Sequence, residues 1–180
     1  MSDSREQVQA FAWSSRVLHW LMAVLILAML LIGIGMVSTV SDRYLTLVSW
    51  HRPIGIALLV LVIVRLVNRL RHRPPALPAS LAPVQRFAAL ASQAVLYGLM
   101  VAMPLVGWGM LSAAGYPIVL AGPLQLPPIL PHSPHLYAVL REAHTVGAFL
   151  LFAVVLLHIA AALYHGLIRR DGVLESMTGG

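Results

Sequence analysis

The sequence contains no cysteine and no lysine. Without cysteine there is no disulfide, no iron–sulfur cluster, no thiolate-ligated haem and no covalently attached c-type haem. Histidine is left as the strong metal ligand, and there are eight. Charge is scarce: 10% of the 180 residues, six acidic side chains against twelve arginines. Apolar residues make up 59%, and the mean hydropathy is +0.85. A water-soluble domain of this length cannot bury that much apolar surface, so the composition is that of a membrane protein. The length fits a single domain.

The net charge of +6 does not point to nucleic acid, because the arginines are not spread over a binding face. Arg65, Arg69, Arg71, Arg73 and Arg86 gather around one connection, and Arg169 and Arg170 follow the last apolar run. That is how a polytopic membrane protein marks its cytoplasmic side. The N-terminus does not read as a signal peptide. Asp3 and Glu6 stand where a basic region belongs, and the first apolar run is long and lacks a cleavage signal. It is expected to be retained as a helix.

A membrane-spanning helix needs about 20 largely apolar residues. Four stretches qualify, at about 17–40, 50–69, 87–111 and 142–168. An open sheet cannot satisfy its backbone in lipid, so the expectation is an all-α, four-helix membrane bundle. The proline-rich, arginine-rich loop at about 70–86 is then cytoplasmic, and both termini are cytoplasmic with it. The connection at about 112–141 is outer (periplasmic). It is rich in Pro and Gly, too interrupted to span, and apolar enough to lie on the bundle. Gly33, Gly35, Gly107 and Gly109 are candidates for close helix packing, and Pro104 for a kink.

The histidines sort by depth in this topology. His19 lies near the inner end of the first helix, and His51 at the outer start of the second. His144 and His158 lie on the fourth helix, fourteen residues apart. That spacing is close to four turns, which puts both on one face, about 21 Å apart in height at about 1.5 Å per residue. His19 matches His158 in depth, and His51 matches His144. Ionisable side chains inside a span are costly and indicate function, and imidazole is a natural axial haem ligand. The reading is two bis-histidine haem sites, one above the other. Zinc is disfavoured, since carboxylates and thiolates are missing from both pairs. Arg16, Arg52 and Arg141 lie close in sequence to these histidines and are candidates for haem propionates. His165, seven residues past His158, is a candidate for a propionate or quinone contact, or an interfacial residue. His72, His132 and His135 read as solvated.

With these residues in place the chain resembles the bacterial cytochrome b561 family over about residues 11–170. The carriers are Arg16-Val17-Leu18-His19-Trp20, Trp50-His51-Arg52-Pro53-Ile54-Gly55, and Val64 to Leu70 followed by Pro74-Pro75. Pro104 to Trp108, Gly115-Tyr116-Pro117, Glu142-Ala143-His144 and Leu157-His158 complete the series. The family often has Trp before the outer histidine of the fourth helix and Glu after it; here they are Ala143 and Thr145. The resemblance implies a four-helix protein of the bacterial inner membrane with two haem b groups. By position its ligands are His19, His51, His144 and His158. It also implies electron transfer between the quinone pool, with ubiquinone as substrate, and an outer donor. That donor is superoxide or a periplasmic redox partner, which makes the chain an oxidoreductase or an electron carrier. Two other readings stay open: a membrane-anchor cytochrome of a hydrogenase or dehydrogenase, and a non-haem proton-coupled transporter.

Overall fold

The computed structural model describes residues 9–78, 80–121 and 123–179; Asp3 and Glu6 lie outside them. Four long helices dominate: α1 (Trp13–Ser38), α2 (Arg43–Arg71), α3 (Pro83–Ala114) and α4 (Pro134–Leu163). α4 runs on into a π-helical turn over Tyr164–Arg169. Between α3 and α4 lies a short antiparallel hairpin of β1 (Ile118–Ala121) and β2 (Leu124–Leu126), and a single turn, α5 (Glu175–Thr178), follows α4. All four long helices are long and apolar enough to cross a membrane. Their outward side chains, such as Leu31, Phe149 and Leu157, stay exposed, as suits a surface whose solvent is lipid.

The helices outrun the apolar stretches because backbone hydrogen bonding continues past the hydrocarbon edge. α1 starts at Trp13, and its first turn is polar. There Ser14 Oγ donates to Asn68 Oδ1 (2.8 Å), and Asn68 Nδ2 donates to Ser15 Oγ (2.8 Å). α3 opens on Pro83, where an N–H has no helical acceptor to lose. Gln85 Oε1 covers the Ala82 N–H at 3.2 Å. α3 ends at Gly115, whose φ of +75° suits glycine and lets the Tyr116 N–H reach Leu111 O (2.9 Å). Ser133 Oγ accepts the Leu136 N–H (3.3 Å) to open α4, again ahead of a proline.

The outer connection is therefore shorter than the sequence suggests, and it is built rather than irregular. Ile118 and Leu126 pair across the hairpin, and β1 packs on α2. Buried Ser112 fastens the connection to α3. Its Oγ donates to Trp108 O (2.8 Å) and accepts the Ile129 N–H (3.1 Å). Trp108 Nε1 donates to Pro127 O (3.0 Å). The apolar side chains of this segment need that underside, since Ile118 is 4% exposed.

α1 packs along α2, α3 along α4, and α2 bridges to α3. The bridge is the core of Met22, Leu59 and Val62, with Tyr97, Met100 and Val101 against it. In contrast, α4 makes no extended contact with α1 or α2. The arginine-rich ends meet at one end of the bundle, where Arg169 Nη1 donates to Gln85 Oε1 (2.9 Å). The chain closes there as well: Ser176 O accepts the Phe11 N–H (2.9 Å), and Met177 O accepts from Trp20 Nε1 (3.2 Å).

Candidate functional site

The histidines face one another across the gaps that α4 leaves. His19 on α1 and His158 on α4 have ring centroids 6.2 Å apart; His51 on α2 and His144 on α4 are also 6.2 Å apart. All four rings are partly buried. Helices that hold the paired rings are those that do not pack directly on each other, so the rings reach into space between helices. α4 is unbroken between His144 and His158, so the two pairs stand about 21 Å apart along the bundle.

The ring separation can be tested against a metal. An imidazole nitrogen sits about 2 Å from a first-row metal, and the ring centroid lies roughly 1 Å beyond that nitrogen. Two rings sharing one metal from opposite sides then have centroids about 6 Å apart. Both pairs meet that distance. One further observation fits. No group of three or more His, Cys, Asp or Glu that could hold a bare ion occurs among the described residues. Each pair thus offers only two ligands, the number needed by an iron whose other positions are filled by its own macrocycle.

Local backbone features set the outer pair. Pro53, two residues after His51, leaves α2 without one backbone hydrogen bond. Pro104 does the same to α3 opposite His144. Gly107 of α3 makes room for the His144 ring: a Cβ there would stand 3.3 Å from its Cε1. Gly109, two residues nearer the outer end, instead receives Leu130 and Leu140. On the outer side a recess of about 400 Å³ lies between Trp108, Tyr116, Gln125 and Pro127.

These geometric features are accompanied by resemblance in sequence. The family model for prokaryotic cytochrome b561 matches residues 10–180. The chain belongs to the prokaryotic cytochrome b561 family. Cytochrome b561 homolog 2 of Escherichia coli is 29% identical over 167 residues, 92% of this chain and 89% of that protein. A probable superoxide oxidase, CybB, of Yersinia pestis is 30% identical over 131 residues, 71% of this chain and 72% of that protein. This is thus a multi-pass bacterial membrane protein of transmembrane electron transfer, with b-type haem as its cofactor.

The candidate arginines of this cytochrome b561 part company in the structure. Arg16 is partly buried, its Nε without a partner, and its guanidinium lies against Gly179 of the closing segment. Arg52 is partly buried and Arg141 exposed, and neither has an ion-pair partner among the described residues. His165 is engaged elsewhere, with its Nδ1 2.7 Å from Asp171 Oδ2, which also takes Arg169 Nε at 3.3 Å. The π-helical turn before Arg170 brings the two together, so His165 anchors the chain's return to α1. His72, His132 and His135 are exposed.

Arg65, counted on sequence among the arginines around the cytoplasmic connection and inside the second apolar stretch, turns into the bundle. It lies a full turn and more inside α2, where Nη2 approaches His19 Nδ1 (3.2 Å) and Nε donates to Tyr97 Oη (3.0 Å). Its signal in the sequence was only position: an arginine four residues before Arg69, inside an apolar run.

Proposed function

We propose that this cytochrome b561 conducts electrons across the inner membrane through two b-type haems, in exchange with the quinone pool. His51 and His144 hold the outer haem, and His19 and His158 the inner one. The observation that carries this reading is the 6.2 Å separation repeated in both histidine pairs, across helices that otherwise stand apart. When bound, haem supplies the one-electron couple. The chain's own part is to orient four imidazoles, to exclude water from the rings by the surrounding apolar helices, and to fix the two sites about 21 Å apart along α4.

Superoxide is the outer donor this reading favours, in keeping with the name of the Yersinia relative. Two superoxide anions release two electrons and two molecules of dioxygen; a quinone takes the two electrons with two protons and becomes the quinol. Arg43, Arg52 and Arg141 belong to the outer end and outnumber Asp42 and Glu142, so an anion is drawn there rather than repelled. The test is the purified protein with superoxide and ubiquinone. Quinol formation faster than in the absence of protein is expected. Haem-replete protein that reduces no quinone under these conditions excludes superoxide as donor.

A further inference from the structure

The inner end of the bundle holds a second polar cluster. Arg65 and Arg69 both flank the Tyr97 ring, with guanidinium carbons 6.0 and 5.7 Å from its centroid. Arg69 Nη2 donates to Gln93 Oε1 (3.4 Å), and Arg65 Nη1 reaches Ser15 O (3.5 Å). A small cleft of about 20 Å³ runs among Ser15, Arg65, Asn68, Arg69 and Tyr97. Among the described residues no carboxylate pairs with either arginine; of the two acids in the closing segment, Asp171 is taken by His165 and Arg169, and Glu175 is exposed and pairs with neither arginine. Two neighbouring cations, one partly buried within a span, are costly without an anion.

The contact between Arg65 and His19 carries the same message. A guanidinium only donates, so His19 Nδ1 must accept for the 3.2 Å contact to be a hydrogen bond. A histidine that binds metal through Nε2 keeps its proton on Nδ1. Donor then faces donor. With metal on His19, Arg65 has to leave the ring and find an acceptor while Tyr97 Oη still holds its Nε.

We propose that Arg65, braced by Tyr97 and flanked by Arg69, is a carboxylate anchor that takes a propionate of the haem held by His19 and His158 and raises that haem's reduction potential. The inference rests on the haem reading above. Anionic lipid phosphate has the same acceptor chemistry, and the experiment separates the two. A cation beside the haem favours the reduced form, so its loss lowers the potential.

The test is redox titration of the full-length, haem-loaded protein, following the couple that His19→Ala abolishes. Arg65→Gln is expected to lower that potential by at least tenfold in the one-electron equilibrium, 59 mV. Tyr97→Phe is expected to lower it by less, and Arg65→Lys to restore part of it. Haem retention against an apo-haem acceptor isolates the carboxylate contact: Arg65→Gln is expected to lose native haem about tenfold faster than wild type, and protohaem dimethyl ester, which has no free carboxylate, at the wild-type rate within about twofold. Equal potentials with native haem overturn the proposal. So does a full-sized retention difference with the ester, which would assign the effect to His19 alone. A difference that vanishes in neutral-lipid nanodiscs would assign the anion to lipid and overturn it as well. A wild-type protein without haem would instead remove the reading on which the proposal rests.

Discussion

Gly107→Ala separates packing of the outer pair from stability of the bundle. The added Cβ would stand 3.3 Å from His144 Cε1 and 3.6 Å from its Nδ1. Carbon contacts are most favourable at about 3.5–4.0 Å, so the ring must retreat by a few tenths of an ångström, away from α3. Its alignment with His51, 6.2 Å away between centroids, is lost in part. Overpacking of this kind costs about 1–3 kcal/mol, or roughly 5- to 150-fold in haem retention at that pair. The same change gives α3 up to about 1 kcal/mol of helix propensity. Haem retention and helix stability therefore move in opposite directions, and unfolding cannot imitate the effect. The assay is haem per chain during competition with an apo-haem acceptor, followed by difference spectra. The inner pair, fourteen residues along α4, should keep its signal. Gly33→Ala is the control, since a Cβ at Gly33 meets nothing within 4 Å. Unchanged outer haem retention in Gly107→Ala, or loss of the inner signal, would refute the reasoning.

Three further outcomes are expected. Ser112→Ala leaves the Ile129 N–H unsatisfied beneath the hairpin, at a cost of about 1–3 kcal/mol; faster hydrogen exchange across residues 118–130 would register it. Asp171→Asn breaks the pair with His165 and Arg169 and weakens the return of the C-terminal segment by about 1 kcal/mol; exchange at Ser176 and Met177 should rise while haem content stays constant. Haem-depleted protein should melt below the loaded form and recover on adding haem, because a ligand bound only by the folded state stabilises it by mass action; equal melting temperatures would contradict this.

Much of the architecture could be read from the chain because lipid leaves few choices. Four apolar runs had to be helices, and arginine placement oriented them. The fourteen-residue step from His144 to His158 was enough to put both on one face, since it depends only on helix periodicity. What escaped depends on how helices cross. Arg65 was absorbed into the topology signal of Arg69 and Arg71, and nothing local reveals that it turns toward α1. Gly107 is one of several glycines in apolar spans, and only the approach of α4 makes it the floor beneath His144. The hairpin was hidden among Pro and Gly, because its apolar residues alternate too briefly to show a strand period. The closing segment was hidden for a different reason: backbone carbonyls at Ser176 and Met177 hold it on Phe11 and Trp20, and carbonyls leave no mark in a sequence.

The most direct measurement is haem content with reduced-minus-oxidised spectra for the wild type and the four single variants His19→Ala, His51→Ala, His144→Ala and His158→Ala. The wild type should hold two b-type haems per chain. His19→Ala and His158→Ala should lose one and the same signal, and His51→Ala and His144→Ala the other. A single haem in the wild type, or losses that pair His19 with His51, would contradict the assignment of the two facing pairs.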